Sequence, residues 1–177
     1  NLALDTSRLD RVPPHNIEAE ESLLGAMMIS KDAVLTASEI VDMDDFYRDS
    51  NREVYRAITN LYSQGEPVDP VTVAEELKKM GSLEKVGGKV FIHSLVSNVP
   101  IAANARYYAT IVNNNALLRR LINAATRIAA MGYEVPSDIE STIDKAEQLI
   151  FDVSKQRHKS KPSSLKELLA ETFEQIE

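Results

Sequence analysis

Apolar residues recur at three- and four-residue steps through most of the chain, a pattern that predicts helices. Leu23, Leu24, Met27 and Met28 form the first such face. Asn16, just beyond Pro13-Pro14, is placed to cap its helix, and Glu18, Glu20 and Glu21 occupy the first turns, where the helix dipole favours acids. A shorter helix is expected over 33–41. Asp49 or Ser50 can cap the next, whose Val54, Tyr55, Ile58, Leu61 and Tyr62 continue until Gly65. Asp69, with Pro70 at the first helical position, opens another that carries Val71, Ala74 and Leu77 towards Gly81. After Gly87-Gly88, residues 90–96 read as a short helix, although Val90, Phe91 and Ile92 suit a strand equally well. The expectation is a small all-α globular head over 13–100, preceded by a flexible arm over 1–12.

Beyond Pro100 the pattern changes. Residues 104–131 contain neither Gly nor Pro, which predicts one helix of roughly 28 residues, about 40 Å long. Gly132 and Pro136 mark a turn, and Ser137 or Asp138 starts a second helix to about residue 154. In that helix Ile139, Ile143, Ala146, Ile150 and Val153 make a narrow seam; Ile111, Leu118, Leu121, Ala125 and Ile128 are its counterpart on the first. A short turn makes the two antiparallel neighbours, a long helical hairpin over 101–154.

One seam does not use all the apolar surface, since Tyr108, Val112, Leu117, Ile122, Ala124, Met131, Leu149 and Phe151 lie off it. Two helices cannot bury so wide a surface. The hairpin is therefore expected to pair with a second copy, the alternative being that these residues fold back on the head. Leu117, Leu118, Leu121, Ile122, Ile143, Ile150 and Phe151 are the positions expected to carry the hairpin or dimer interface. A charged linker over 155–164 follows. A last helix over 165–177 then carries Leu165, Leu168, Leu169, Phe173 and Ile176 on one stripe. Such a helix is marginal alone and needs an external docking surface. The chain stops inside it at Glu177 and opens on Asn1 rather than Met, so a piece of something longer is expected.

Composition narrows the function classes. The chain has 177 residues and no cysteine, which removes disulfides, thiolate metal sites and any Cys nucleophile. Its apolar runs are far shorter than the ~20 residues of a membrane span, and a cytoplasmic protein is expected. The net charge of −7 disfavours a dedicated nucleic-acid binder. Its distribution is more telling. The first long helix carries Arg106, Arg119, Arg120 and Arg127 and no acid, whereas the second is mostly acidic. The two are expected to attract, with the arginines paired to the partner helix.

The search for catalytic chemistry is negative. The stretch GSLEKVGGKV lacks the spacing and the hydroxyl of a phosphate loop, and His15, His93 and His158 share no metal-ligand spacing. Asp42, Asp44 and Asp45 lack the EF-hand pattern and are expected to cap and solvate a turn before Phe46-Tyr47. No catalytic, cofactor or metal residue is assigned. The competing reading is a helical module that grips single-stranded DNA through Arg119, Arg120, Arg127, Tyr107 and Tyr108.

Five blocks in order carry more than their chemistry: PPHNIEAEESLLGAMM, DDFYRDSNREVY, VDPVTVAEELKKMG, VGGKVFIHSL and NVPIAANARYYATIV. Together they resemble the N-terminal part of the bacterial replicative DNA helicase family, DnaB, from about Val12 to the end of the chain. The resemblance implies a helical head, a hairpin that pairs in a trimer-of-dimers collar, and a linker helix that docks on a neighbouring subunit's ATPase domain. It also implies a contact with the C-terminal helicase-binding domain of primase. ATP, Mg and most of the DNA contact would belong to the ATPase domain, which lies beyond Glu177, so no catalytic residue carries over.

Overall fold

The computed structural model describes residues 12–159. Among them, eight α-helices and two short 3-10 turns succeed one another without a strand. They are α1 (Ile17–Ile29), α2 (Lys31–Ile40), α3 (Asp49–Ser63), α4 (Pro70–Lys79), α5 (Leu83–Val86), α6 (Gly88–Ser97), α7 (Ala105–Tyr133) and α8 (Ile139–Lys159). The all-α architecture expected from the periodicity is present, and the ambiguous segment near Val90 is helical. Residues 1–11 and the stripe Leu165, Leu168, Leu169, Phe173 and Ile176 lie outside the described residues.

α1 sits at the centre of the head, packed by α2, α3, α6 and α7. Its Leu23, Leu24 and Met27 join Phe46, Val54, Ile58, Val73, Leu77, Ile92 and Leu95 in one core. A helix surrounded on so many sides is apolar nearly all round, unlike a surface helix with one stripe. The Asn16 side chain accepts from the Ala19 amide at 2.9 Å, as the N-cap pattern requires. Asp69 likewise accepts from Val71 and Thr72 at 2.8 and 2.9 Å, with Pro70 first in α4.

α3 departs from expectation. Neither Asp49 nor Ser50 caps it: the helix begins at Asp49 and the residue before it makes no side-chain cap bond. The carboxylate of Glu20, buried in α1, accepts from the Tyr47 amide at 2.6 Å, the Arg48 amide at 3.4 Å and the Asn51 side chain at 2.9 Å. The amino ends of α1 and α3 thus meet, and one acid satisfies donors that a local cap would otherwise take. Along the chain Glu20 reads as a first-turn surface acid, because sequence spacing does not show another helix end arriving.

Gly25 marks the closest approach in the head. A Cβ there would lie 2.2 Å from the Leu95 carbonyl oxygen and 2.2 Å from Val99 Cγ2, so α1 and α6 touch backbone to backbone. Isolated glycine inside a helical pattern is a signal of such contact.

The first half of α7 belongs to the same core. Ala105, Ala109, Val112, Asn113 and Ala116 are buried, and α1 and α2 supply most of the cover. Tyr108 packs on the core as well. Tyr108 and Val112, expected to await a second copy, are therefore covered by the head; the fold-back alternative holds for this half of the helix. α7 passes through Gly132, the expected terminator, and stops at Tyr133. Val135 follows at φ 46°, a left-handed conformation that a β-branched residue adopts only under strain. Asp138 accepts from the Ser141 amide at 2.9 Å and opens α8, which continues as helix to Lys159, past the expected end near residue 154.

Two substitutions test this packing. Gly25→Ala should lower stability by about 1–3 kcal/mol or more, because the methyl group meets backbone that cannot turn aside. Glu20→Ala should lower it by about 3 kcal/mol or more, since buried amide donors lose a charged acceptor. Urea midpoints against the parent chain check both.

Candidate protein-interaction surface

α7 and α8 pack against each other as an antiparallel pair, only partly along the expected seam. Ala124 is buried, and Leu117, Ile128, Ala146, Leu149 and Val153 are half-buried. Ile111, Leu118, Leu121, Ala125, Ile139, Ile143 and Ile150 stay exposed. The reason is geometric. Regular spacing identifies a stripe but not how deeply a partner helix covers it: Ile128, Ala146 and Val153 of the stripe are half-buried, while Leu118, Leu121, Ile143 and Ile150 are left about half open.

Six of the seven positions expected at the interface are 45–55% exposed: Leu118, Leu121, Ile122, Ile143, Ile150 and Phe151. The seventh, Leu117, is half-buried. Leu117, Leu118 and Leu121 of α7 line one open groove with Ile150 and Val153 of α8. Ile128, Ala146, Ile150 and Phe151 line a second, rimmed by Asp144 and Glu147. The hairpin therefore presents aliphatic side chains on neighbouring turns, a surface suited to another protein rather than to a small polar ligand.

The joint between hairpin and head is polar. Asp42–Asp45 forms a reciprocal cap: the Asp42 amide donates to the Asp45 carboxylate at 3.0 Å. Contrary to the expectation of a solvated turn, Asp45 is buried. Its carboxylate also takes the Arg120 guanidinium and the Asn113 amide at 3.4 Å. Arg119 spans two chain segments, donating to the Pro14 carbonyl at 2.7 Å and to the Asp45 carbonyl. It also lies 5.5 Å over the Tyr47 ring, whose other neighbour is His15, stacked at 4.3 Å. Burial pulls the Arg119 pKa below its ordinary value, opposed by the charges of Glu20 and Asp45.

These contacts correct two expectations. Arg119 and Arg120 pair with the head, not with acidic α8, and among the described residues no ion pair links α7 to α8. Arg106 also turns to the head, meeting Glu39 of α2 at 3.7 Å. With Arg119 and Arg120 engaged and Tyr108 packed, the set expected to grip single-stranded DNA is not gathered on one free face; Tyr107 and Arg127 alone of it are exposed and without a salt bridge to the head. Among the described residues no group of three His, Asp or Glu side chains could hold a metal ion, and no helix is long and apolar enough to cross a membrane. Neither the buried roles of Glu20 and Asp45 nor the joint they make is legible in the spacing. The signal available is a density of acids around 42–49 together with a long helix, α7, that carries four arginines and no acid.

Comparison with known proteins places this geometry. Residues 12–114 match the family described as the DnaB-like helicase N terminal domain. The replicative DNA helicase DnaC of Bacillus subtilis is 43% identical over 95% of this chain and 37% of its own length. The chain thus spans about a third of that relative. The crystal structure of the N-terminal domain of DnaB helicase from Mycobacterium tuberculosis superposes with a TM-score of 0.76 at 47% identity, covering 80% of this chain and 99% of that one. A DnaB-like replicative helicase described with its interactions with primase shares the fold at a TM-score of 0.65 and 18% identity, over 91% of this chain and 34% of that one.

The joint has a measurable pH signature through Tyr55, whose hydroxyl donates to the Val41 carbonyl at 2.9 Å. Burial, with the charges of Asp42 and Asp45 adding and a Ser38 hydrogen bond opposing, pushes the phenol from 10.0 up to about 12. The fold holds the neutral form, so this contribution of about 2–3 kcal/mol is complete below pH 10 and is lost as pH rises towards 12. Tyr55→Phe should remove that component. In urea melts between pH 8 and 12, the parent should lose more stability than the variant, by about 2–3 kcal/mol at the upper limit.

Proposed function

The chain belongs to the DnaB-like replicative helicases, as their N-terminal domain, and we propose that it acts as the non-catalytic collar of such an enzyme. In this reading hairpins pair through Leu117, Leu118, Leu121, Ile122, Ile143, Ile150 and Phe151, and three such dimers build a six-membered ring. The collar recruits primase through that protein's C-terminal helicase-binding domain, which joins primer synthesis to unwinding. The stripe of Leu165, Leu168, Leu169, Phe173 and Ile176 docks on the ATPase domain of a neighbouring subunit. ATP, Mg and the main DNA contact belong to that domain. Such a protein works in the cytoplasm.

One observation carries the reading: a hairpin from this family leaves six large aliphatic or aromatic side chains about half exposed on adjacent turns. Completing their burial stabilises a complex by on the order of 1 kcal/mol each. Two such faces together supply on the order of 12 kcal/mol, the same size as the association cost of about 4–15 kcal/mol, so pairing is weak and depends on concentration. The helicase described with primase supports naming primase as a partner.

Sedimentation tests both halves. The chain should associate reversibly as its concentration is raised towards about 100 μM. Leu121→Asp should remain monomeric with its helical circular dichroism unchanged, because Leu121 is already half open to water in the protomer. A parent chain that stays monomeric throughout refutes hairpin pairing. A primase C-terminal domain should co-sediment with the parent chain; its failure to do so removes recruitment while leaving assembly standing.

A further inference from the structure

We infer that the Asp45 turn is a latch that sets the register of α7 against the head, and with it the direction in which the open hairpin face points. The head-facing side of α7 is built from Ala105, Ala109 and Ala116, with Val112 and the half-buried Tyr108 its larger apolar side chains and Arg106 paired to Glu39 near its start. These larger groups sit in the first two turns, and beyond Val112 the small Ala116 makes a shallow surface that resists a roll about the helix axis only weakly. What gives that side direction is polar. Asn113 and Arg120 reach the Asp45 carboxylate, and Arg119 bridges the Asp45 and Pro14 carbonyls.

The plate that receives these groups is itself held. The Asp42 amide donates to Asp45, Arg52 donates to the Phe46 carbonyl at 3.0 Å, and Glu20 accepts from the Tyr47 amide. A guanidinium fork that joins two separate segments fixes orientation more strictly than an apolar contact does. Past Arg120 the helix changes character: Leu121 and Ile122 are exposed, and the helix runs on to Tyr133. That free length is about 20 Å, so a tilt of about 15° at Arg120 moves the hairpin tip by roughly 5 Å. The consequence for a ring rests on the collar reading above; the latch itself does not.

Distance measurement between spin labels tests it. The chain has no cysteine, so Glu66→Cys on the head and Glu134→Cys at the tip, both exposed, accept nitroxides cleanly. Dilution with unlabelled chain removes distances between copies. The parent should give one narrow distribution. Asp45→Asn, and separately Arg120→Met, should shift its mean by about 5 Å or widen it about twofold while helicity is kept. An unchanged distribution in either folded variant overturns the latch. If both variants fail to fold, Arg119→Lys carries the same two outcomes, because it keeps the charge and loses only the fork between Pro14 and Asp45. Leu121→Asp in the labelled background should leave the distribution as it is while abolishing association, so the latch and the collar reading fail separately.

Discussion

A carboxylate withdrawn from water must be met by donors, and the donors that meet Asp45 come from far along the chain on α7. That requirement ties the hairpin to the head. Without it the hairpin root beyond Val112 would rest on the head through Ala116 alone among its apolar side chains, which offers little direction. The same need acts at Glu20, where an acid from α1 satisfies the amino end of α3. Glu20 bonds the segment 47–51 and Asp45 lies just before it, and Arg119 feels both charges. The head and the hairpin root therefore share one electrostatic centre instead of two independent cores.

α7 divides its work along its length. Its first half uses small residues to approach α1 and α2 closely, and the core closes over them. Its second half carries the larger Leu118, Leu121 and Ile122, which the described protomer leaves about half open. α8 adds Ile143, Ile150 and Phe151. A single helix thus belongs to a core at one end and presents a partner surface at the other.

The helices are legible in the sequence because their punctuation is local. Asn16, Asp69, Pro70 and the glycines after α3 and α4 each act within a few residues of themselves, so their spacing reveals them. The hairpin is legible for the same reason, through an uninterrupted run and a short turn. What spacing misses is tertiary. It sets the arginines of α7 against acidic α8 because those blocks are neighbours in sequence, whereas Asp45 is nearer in space and already dehydrated. It puts Leu118, Leu121, Ile143 and Ile150 inside the seam, because a regular repeat defines a stripe and not the side on which a partner helix lies. It caps α3 with Asp49 or Ser50, where an acid from another helix arrives instead. Of the interface positions, Leu117, Ile122 and Phe151 emerge as apolar surplus beside the seam, whereas how far Leu118, Leu121, Ile143 and Ile150 stand open is set by tertiary packing.

α8 does not dissolve where its apolar seam runs out. It stays helical to Lys159 through charged sequence. A rod hands on orientation, whereas a slack tether hands on only position. The backbone at Lys159 thus has a heading inherited from the hairpin axis, and any turn of the hairpin sweeps that heading with it, as a tiller moves with its shaft.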